Sequence, residues 1–182
     1  MTLRPKLQRM LSSVDQVTEE FDRRMRSISE LDLLARPDKN QWCIAEIIEH
    51  LNMVHAITFP RFFSILESAP LVGGERSVQI RYKMMDKIFV RAMSPGFPIT
   101  LPVPPMFEPL ISGTPKGVVL PRFRGLQSEF VRLIQEADDK QLAKLIVRSP
   151  ANERIAFGFM AYLEGILLHE QYHWAQIVKR LG

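Results

Sequence analysis

Two histidines near the C-terminal end of the chain, His169 and His173, have the spacing of paired metal ligands. Residues four apart on a helix lie on one face, with Cβ atoms about 5–6 Å apart, so both imidazole rings can reach one metal ion. The region 155–181 contains no proline and ends with the basic residues Lys179 and Arg180, which is typical of a helix C-terminus. The pair predicts part of a metal site, and a third ligand has to come from elsewhere.

The best-placed candidate for the third ligand is His50, in an earlier segment with helical periodicity. It lies on an apolar stripe with spacings of three and four residues, formed by Cys43, Ile47, His50, Val54 and Ile57. His55 lies on a neighbouring apolar row and is the competing candidate. The C-terminal pair follows the same rule, because Tyr162, Ile166 and Ile177 continue its stripe.

Three neutral imidazoles suit Zn²⁺, Ni²⁺ or another borderline divalent ion. Three protein ligands leave at least one coordination position open, as in catalytic rather than structural sites. A water in that position is acidified towards pH 7 and can act as a nucleophile, or a substrate thiolate can displace it. The simpler interpretation is that buried histidines only satisfy hydrogen bonds in the core. For three histidines on inward stripes, the metal site is the favoured interpretation.

The C-terminal pair also fits the pattern H-E-x-x-H of zinc proteases, in which the glutamate is the general base. Those proteases need a third ligand downstream. Only nine residues follow His173, and none of them is His, Asp, Glu or Cys. The sequence therefore argues against a protease of this type.

Three polar residues lie close to the candidate ligands in sequence. Glu46, one turn before the candidate ligand of its own helix, could orient a histidine ring or reach the metal. Glu170 is about 100° round the helix from its neighbouring ligand and could be a base, hold a ligand or be a surface carboxylate. We favour a surface or ligand-supporting role for it. Gln176 is on the ligand side of its helix and is expected to bond within the core.

Four further residues are expected to pack rather than react. Tyr172 and Trp174 flank His173 and are interpreted as packing residues, and Trp42 is expected to anchor the start of the second helix. Cys43 is two turns from His50, about 10 Å, which is too far to share its ion. We interpret Cys43 as a small core residue.

Composition limits the class of protein. A chain of 182 residues with 46% hydrophobic and 24% charged residues is expected to form a single domain over residues 1–182. No apolar run is long enough for a membrane span, and the basic N-terminus lacks the apolar core of a secretion signal. The single cysteine excludes an internal disulfide and favours a cytoplasmic location. The net charge of +4 is spread along the chain, which does not favour a nucleic-acid partner.

Apolar periodicity predicts an all-α fold, a four-helix bundle. The first helix should be roughly 25–30 residues long, starting near Leu7 and ending before a break at 35–40. The second should run over 41–67, with Pro60 kinking or splitting it. Further helices are predicted over 78–93, 121–136 and 155–181, with a short helical turn at 138–143, a connection at 145–152, and at most a short extended piece at 118–120.

Residues 94–121 are a proline-rich insertion between the second and the later helices. They hold eight of the thirteen prolines, with apolar residues between them and only Glu108 and Lys116 charged. Disordered linkers are normally polar and charged. We therefore expect this segment to pack, either as a cover over the bundle or against a partner chain, rather than to be a mobile loop.

Two segments resemble the signatures of the DinB-like four-helix bundles. The first, at 42–51, has a tryptophan near the helix start and then a histidine followed by leucine; the second, at 169–177, reads H-x-x-x-H-x-x-Q-I. The resemblance covers the first, second and last helices, and the proline-rich insertion departs from it. It implies a DinB-like bundle in which His50, His169 and His173 bind one divalent metal, zinc or nickel.

The resemblance also implies a function. Proteins of this kind resemble metal-dependent hydrolases and thiol S-transferases that use low-molecular-weight thiols, and they commonly form homodimers. We therefore expect a metal-dependent enzyme acting on a small molecule, with a pocket at the metal end of the bundle partly walled by the insertion. The alternative is a non-catalytic helical bundle that binds a partner protein and holds a structural metal or none.

Overall fold

The computed structural model describes residues 4–72, 80–99, 102–109 and 114–182. Within them, helices account for most of the structure, and the predicted all-α fold is confirmed. There are six α-helices, a two-stranded hairpin and two short 3-10 turns in the described residues. The helices are α1 (Pro5–Met25), α2 (Glu30–Leu34), α3 (Ile44–Ser68), α4 (Met84–Met93), α5 (Lys116–Asp138) and α6 (Phe159–Leu181); the strands are β1 (Ile146–Ser149) and β2 (Asn152–Gly158).

The first helix is shorter than predicted. α1 starts with Pro5 at its first turn, where the missing N–H costs nothing, and ends at Met25. The chain then restarts as α2, because the Ser29 hydroxyl accepts a hydrogen bond from the Asp32 N–H at 3.0 Å and caps a new helix. Ile28, expected on the stripe of the first helix, is buried in the break between the two helices.

Helix α3 is the central element and carries one of the candidate ligands. It begins at Ile44, since the Glu46 carboxylate accepts a hydrogen bond from the Cys43 N–H at 2.9 Å. The helix continues through Pro60, so the predicted split is wrong. Pro60 is on the exposed side, where water can bond the carbonyl that loses its helical partner.

The start of α4 is set by a side-chain cap. The Asp86 carboxylate accepts a hydrogen bond from the Lys83 N–H at 2.8 Å, so the helix begins at Met84, and the described residues 80–83 before it are not helical. The predicted start at 78 lies outside the described residues. Asp86 also accepts from the Gly158 N–H at 2.8 Å, which ties α4 to the end of β2.

Helix α5 starts earlier than predicted. It begins at Lys116, with Pro115 as its N-terminal flank, and Pro121 lies inside it. The predicted extended piece at 118–120 is therefore wrong, because these residues are helical. The Glu30 carboxylate accepts a hydrogen bond from the Lys116 N–H at 3.0 Å, which holds this first turn against α2.

The connection to the last helix is a hairpin, which was not predicted. Strands β1 and β2 pair antiparallel, with Val147 opposite Phe157 and both side chains buried. The residues at 155–158 belong to β2, so α6 begins four residues later than predicted, at Phe159. The helical turn predicted at 138–143 overlaps by two residues with a 3-10 turn at Leu142–Lys144, and its first residue is the last of α5. The single domain over residues 1–182 stays a prediction.

The buried apolar residues form two clusters that divide the bundle along its length. One cluster includes the C-terminal part of α3, the start of α6 and the hairpin; the other includes the start of α3 and the end of α6. Both helices therefore pass from one cluster to the other, and their histidines lie at that junction. Among the residues with described structure, no helix combines the length and apolar character that a membrane crossing requires.

Candidate metal centre

His50 on α3 and the pair His169 and His173 on α6 meet at one point, as the spacing predicted. One ring nitrogen from each lies within 4.8 Å of the others. The His169 Nε2 atom is 3.2 Å from His50 Nε2 and 3.1 Å from His173 Nε2. The three Nε2 atoms thus point at a shared centre, although one of the rings comes from a segment more than a hundred residues earlier in the chain.

Two of these rings are held in a defined tautomer by their other nitrogen. His50 Nδ1 donates to the Phe107 carbonyl oxygen at 2.7 Å, and His173 Nδ1 donates to the Gln176 Oε1 atom at 3.0 Å. A neutral imidazole has one N–H, so the Nε2 atoms of these two rings carry lone pairs. Both lone pairs face the Nε2 atom of His169, as in sites where an outer acceptor orients a metal-binding histidine.

The donor set fits a divalent cation. Two nitrogens each about 2.0–2.1 Å from one ion are about 2.8–3.4 Å apart for ligand angles between octahedral and tetrahedral. The observed Nε2 separations of 3.1 and 3.2 Å lie inside that range. Without a cation, a single proton on His169 would have to serve two lone pairs at once. Three imidazole nitrogens are donors that zinc and nickel accept.

Burial keeps the three rings neutral, which is the form that binds metal. Desolvation lowers the pKa of His50, and it lowers the pKa of His173 to about 3. Burial also holds the pKa of His169 well below its usual value, with the neighbouring rings adding to the effect. Each ring therefore presents a lone pair at neutral pH, and metal binding does not have to displace protons from these rings.

The ring of Trp42 lies beside the three histidines. Its centroid is 5.1 Å from that of His50 and 6.5 Å from that of His173. The Arg180 guanidinium donates a hydrogen bond to the Trp42 carbonyl, so the end of α6 is joined to the start of α3. The Trp42 side chain packs against the core cluster at the start of α3, in line with the predicted anchoring role, and its ring covers one side of the site.

Gln176 and Glu46 have different roles. Gln176 orients His173, as described above, so its predicted bond within the core is confirmed. Glu46 caps the start of α3 and pairs with the Arg36 guanidinium. The suggestion that Glu46 orients a histidine or reaches the metal stays a prediction.

Glu170 is not a surface residue, so that part of the prediction is wrong. Its side chain is fully buried, and its Oε2 atom accepts a hydrogen bond from Gln127 Nε2 at 2.6 Å. The same oxygen lies 3.3 Å from His55 Nε2. The rotation of about 100° per residue turns Glu170 away from the histidine cluster and towards the interior. His55, the competing ligand candidate, belongs to this second buried group and not to the three-histidine cluster.

The remaining packing predictions hold. Trp174 is buried, and its Nε1–H donates to the Glu20 carboxylate at 3.0 Å. The Tyr172 ring lies edge-on to His173, with centroids 5.0 Å apart. Cys43 is buried at the start of α3, and burial raises the pKa of its thiol, which disfavours a nucleophilic thiolate.

A cavity of about 640 Å³ adjoins the three histidines. Helices α3 and α6 form its floor, α4 forms one wall, and the proline-rich insertion forms another. The insertion contributes Phe97, Ile99, Pro102, Val103, Pro104 and Phe107 to the lining. In its described part, the insertion therefore packs over the bundle, as predicted, and it also supplies the carbonyl that orients His50. A contact of this segment with a partner chain stays a prediction.

Comparison with protein families matches residues 13–177 to the DinB superfamily. The chain belongs to the DinB superfamily. The match begins inside α1 and ends inside α6, and it includes all three histidines of the cluster. Searches of curated proteins and of solved structures found no match to this chain.

Three parts of this DinB-superfamily site could not be found from residue types. The Phe107 carbonyl is a backbone group and carries no sequence signal. Phe89 and Met93 line the cavity from α4, and Ser149 and Ala151 line it from the hairpin. The apolar periodicity of α4 predicted that this helix has a buried side, but it did not predict that this side lines the cavity.

Proposed function

We propose that His50, His169 and His173 bind one divalent metal ion, zinc or nickel, and that the protein is a metal-dependent enzyme acting on a small molecule. The reaction would be either a hydrolysis or the transfer of a low-molecular-weight thiol. The observation that carries the proposal is the convergence of three Nε2 atoms, two of them with assigned lone pairs, at the wall of a cavity of about 640 Å³.

The bound metal would supply a Lewis acid that acidifies water or binds a thiolate. Residues of the chain would orient the ligands of this metal and exclude water from one side of it. The Phe107 carbonyl and the Gln176 amide hold two rings in the ligand tautomer. Trp42 and the insertion shield one side from water, which strengthens electrostatic interactions at the site.

The alternative is a non-catalytic module with a structural metal or none. One observation favours it: α4 exposes Met84, Met85 and Ile88, an apolar face that a partner chain could cover. A structural zinc site, however, normally has four protein ligands. The cluster in the described residues has three and adjoins a cavity, so the enzyme is the better-supported function.

The proposal includes a homodimer and a cytoplasmic location. Light scattering tests the first, and fractionation of cells tests the second. That nucleic acid is not a partner stays a prediction.

The test of the metal site is elemental analysis of protein purified without a histidine tag or nickel resin. We expect close to one zinc or nickel per chain in the wild type and a loss of at least tenfold in His169→Ala. His55→Asn is the matched control, since this buried histidine lies outside the cluster, and it should retain its metal. Equal metal content in the wild type and His169→Ala would refute the assignment.

A second measurement distinguishes the metal-dependent enzyme from the non-catalytic module. Cobalt(II) replaces zinc and reports its ligands through its visible spectrum. We expect added 2-mercaptoethanol to change that spectrum, because three protein ligands leave a position that a thiolate can take. A spectrum unchanged by thiols and by small anions would indicate a closed site and favour the non-catalytic module.

A further inference from the structure

We infer that the end of the cavity on the far side of the histidines from Arg180 is a subsite for an uncharged, apolar portion of the substrate. The ring of Phe89, which packs directly against Gly165, sets the depth of this subsite. The inference rests on the proposed function only for the head of the substrate, which would bind the metal. The apolar subsite itself is built from protein side chains and does not require the ion.

The direction of the cavity follows from the two helices on its floor. The lining residues of α3 and α6 recur at helical spacing: Ile47, His50, Val54 and Thr58 on the first, and Tyr162, Ile166, His169, His173, Gln176 and Arg180 on the second. The two helices run antiparallel, since Arg180 at the end of α6 contacts Trp42 before the start of α3. The histidines therefore lie partway along the cavity, with one end of it on each side.

The two ends differ in chemistry. The end near Arg180 is polar, with Asn40, Gln41 and Gln176 beside that guanidinium. The opposite end is formed mainly by apolar and aromatic side chains: Val54, Phe89, Ala92, Met93, Tyr162 and Ile166. Its two other hydroxyls already have protein partners, since Thr58 donates to the Val54 carbonyl at 2.7 Å and Ser149 hydrogen-bonds with Tyr162. Among the described lining residues there is no Asp, Glu or Lys, and Arg180 is the one permanent charge.

This distribution decides the class of substrate. A charged group placed at the apolar end would lose its hydration with no partner of opposite charge, which costs more free energy than burying an unpaired neutral polar group. A hydrocarbon or aromatic group gains free energy on leaving water for the same surface. The substrate is therefore a molecule with a metal-binding head and an uncharged apolar body.

Phe89 forms the end wall because Gly165 leaves room for its ring. A Cβ atom at position 165 would lie 2.1 Å from Phe89 Cε1, far inside contact distance. The ring also stacks on Phe157, with centroids 4.3 Å apart, and lies 5.1 Å from Tyr162. Because three neighbours fix the ring, the apolar end has a defined depth.

The first test uses N-phenyl-1-naphthylamine, a neutral dye that brightens in apolar sites, with protein loaded with zinc and with metal-free protein. We expect saturable binding of one dye per chain in both forms. Ala92→Phe places a ring in the cavity and should weaken binding at least tenfold. Ile88→Ala is the control on the same helix, since this side chain is exposed and outside the lining, and it should change affinity by less than twofold.

Two results would overturn the subsite. One is the absence of saturable dye binding. The other is an Ile88→Ala variant weakened as much as Ala92→Phe, which would place the dye on the exposed face of α4. Circular dichroism checks that each variant is folded.

The second test measures depth in the zinc-loaded protein with straight-chain alkyl hydroxamic acids, whose head group binds metal. Affinity should rise about two- to fourfold per methylene until the chain reaches the end wall, and then level off. Phe89→Ala should move that levelling point to longer chains; if this variant does not fold, Ala92→Phe should move it to shorter ones. Affinity independent of chain length, in protein shown to contain zinc, would refute the subsite and leave the metal proposal standing. Failure to take up either zinc or nickel, with dye binding intact, would refute the metal proposal alone.

Discussion

His55 Nε2 lies 3.3 Å from Glu170 Oε2 in a part of the core where neither side chain is exposed. The same carboxylate oxygen accepts a hydrogen bond from Gln127, whose Oε1 atom in turn accepts from the Thr18 hydroxyl at 3.3 Å. This polar group connects α1, α3, α5 and α6 beside the histidine cluster. Burial favours the neutral forms, since it raises the pKa of Glu170 to about 8 and lowers the pKa of His55 to about 3.

The first prediction concerns the neutrality of this pair. Glu170→Gln keeps an oxygen that can accept from Gln127 and adds no charge, so at pH 7 it should change the free energy of unfolding by less than about 1 kcal/mol. Glu170→Ala leaves the Gln127 amide without its acceptor and opens a cavity, and should cost about 2–4 kcal/mol. Urea unfolding measures both. A Gln variant as unstable as the Ala variant would show that a buried carboxylate charge is required.

The second prediction is the pH dependence of stability. The pKa of Glu170 is raised from 4.5 to about 8, so its contribution is fully present below pH 4.5 and is lost as the pH rises to 8. The pKa of His55 is lowered from 6.5 to about 3, so its contribution is present above pH 6.5 and is lost as the pH falls to 3. Between pH 6.5 and 8, therefore, only the titration of Glu170 changes the contribution of this pair to the free energy of unfolding.

Wild-type stability should therefore decline from pH 6.5 to 8 relative to that of Glu170→Gln, measured by urea unfolding across this range. A His55→Asn variant is the control for the acid side and should lose less stability than the wild type between pH 6.5 and 4.5. Parallel curves for the wild type and Glu170→Gln above pH 6.5 would contradict the raised pKa.

The third prediction concerns the amide that orients His173. Gln176→Ala removes the acceptor of the Nδ1–H and should weaken zinc affinity by about 10–100-fold without abolishing binding. Gln171→Ala, on the same helix, is the control and should leave affinity within twofold. Competition with a chromophoric chelator gives both values. If the two variants bind zinc equally well, Gln176 does not support the ligand.

The histidine cluster could be predicted because helical spacing is a local property. Four residues separate His169 from His173, and the stripe around His50 has the same period, so one face of each helix is fixed by the sequence. The face of Glu170 was harder to assign, because in a helix buried on more than one side a residue 100° from the ligands is still inside.

The hairpin and the start of α5 depend on tertiary contacts. The β2 segment pairs with β1 and packs Phe157 into the core, whereas its apolar residues by themselves are equally compatible with an early start of the last helix. Pro121 suggested a helix start, but it lies in the second turn of α5, where it removes one helical hydrogen bond; the turn before it is held by the contact of Glu30 with the Lys116 N–H, which the sequence does not reveal.

The fourth prediction tests the close packing of the Phe89 ring against Gly165. Gly165→Ala places a methyl group against the ring and should destabilise the fold by about 1–3 kcal/mol through overpacking. Gly125→Ala is the matched control in another helix, with no atom within 4 Å of the added methyl. It should stabilise the protein by about 0.5–1 kcal/mol through helix propensity. Thermal unfolding distinguishes the two, and equal effects of either sign would contradict the close contact.

The fifth prediction concerns the support that the proline-rich insertion gives to metal binding. The Phe107 carbonyl belongs to the last residue of a 3-10 turn at Pro105–Phe107, and prolines limit the backbone freedom of this stretch. Replacing residues 102–109 with a glycine–serine stretch of equal length keeps a carbonyl at each position but lets it move. Zinc affinity should fall about tenfold, because His50 then loses a fixed acceptor. Dye binding should weaken as well, since one wall of the cavity is removed.

Met106→Ser is the control for this replacement, because its side chain is partly exposed and is not part of the lining. It should leave zinc affinity within twofold. Light scattering on the same proteins tests the remaining alternative for the segment. A change of oligomer size with zinc affinity intact would mean that the insertion binds a second copy of the chain and does not support the metal site.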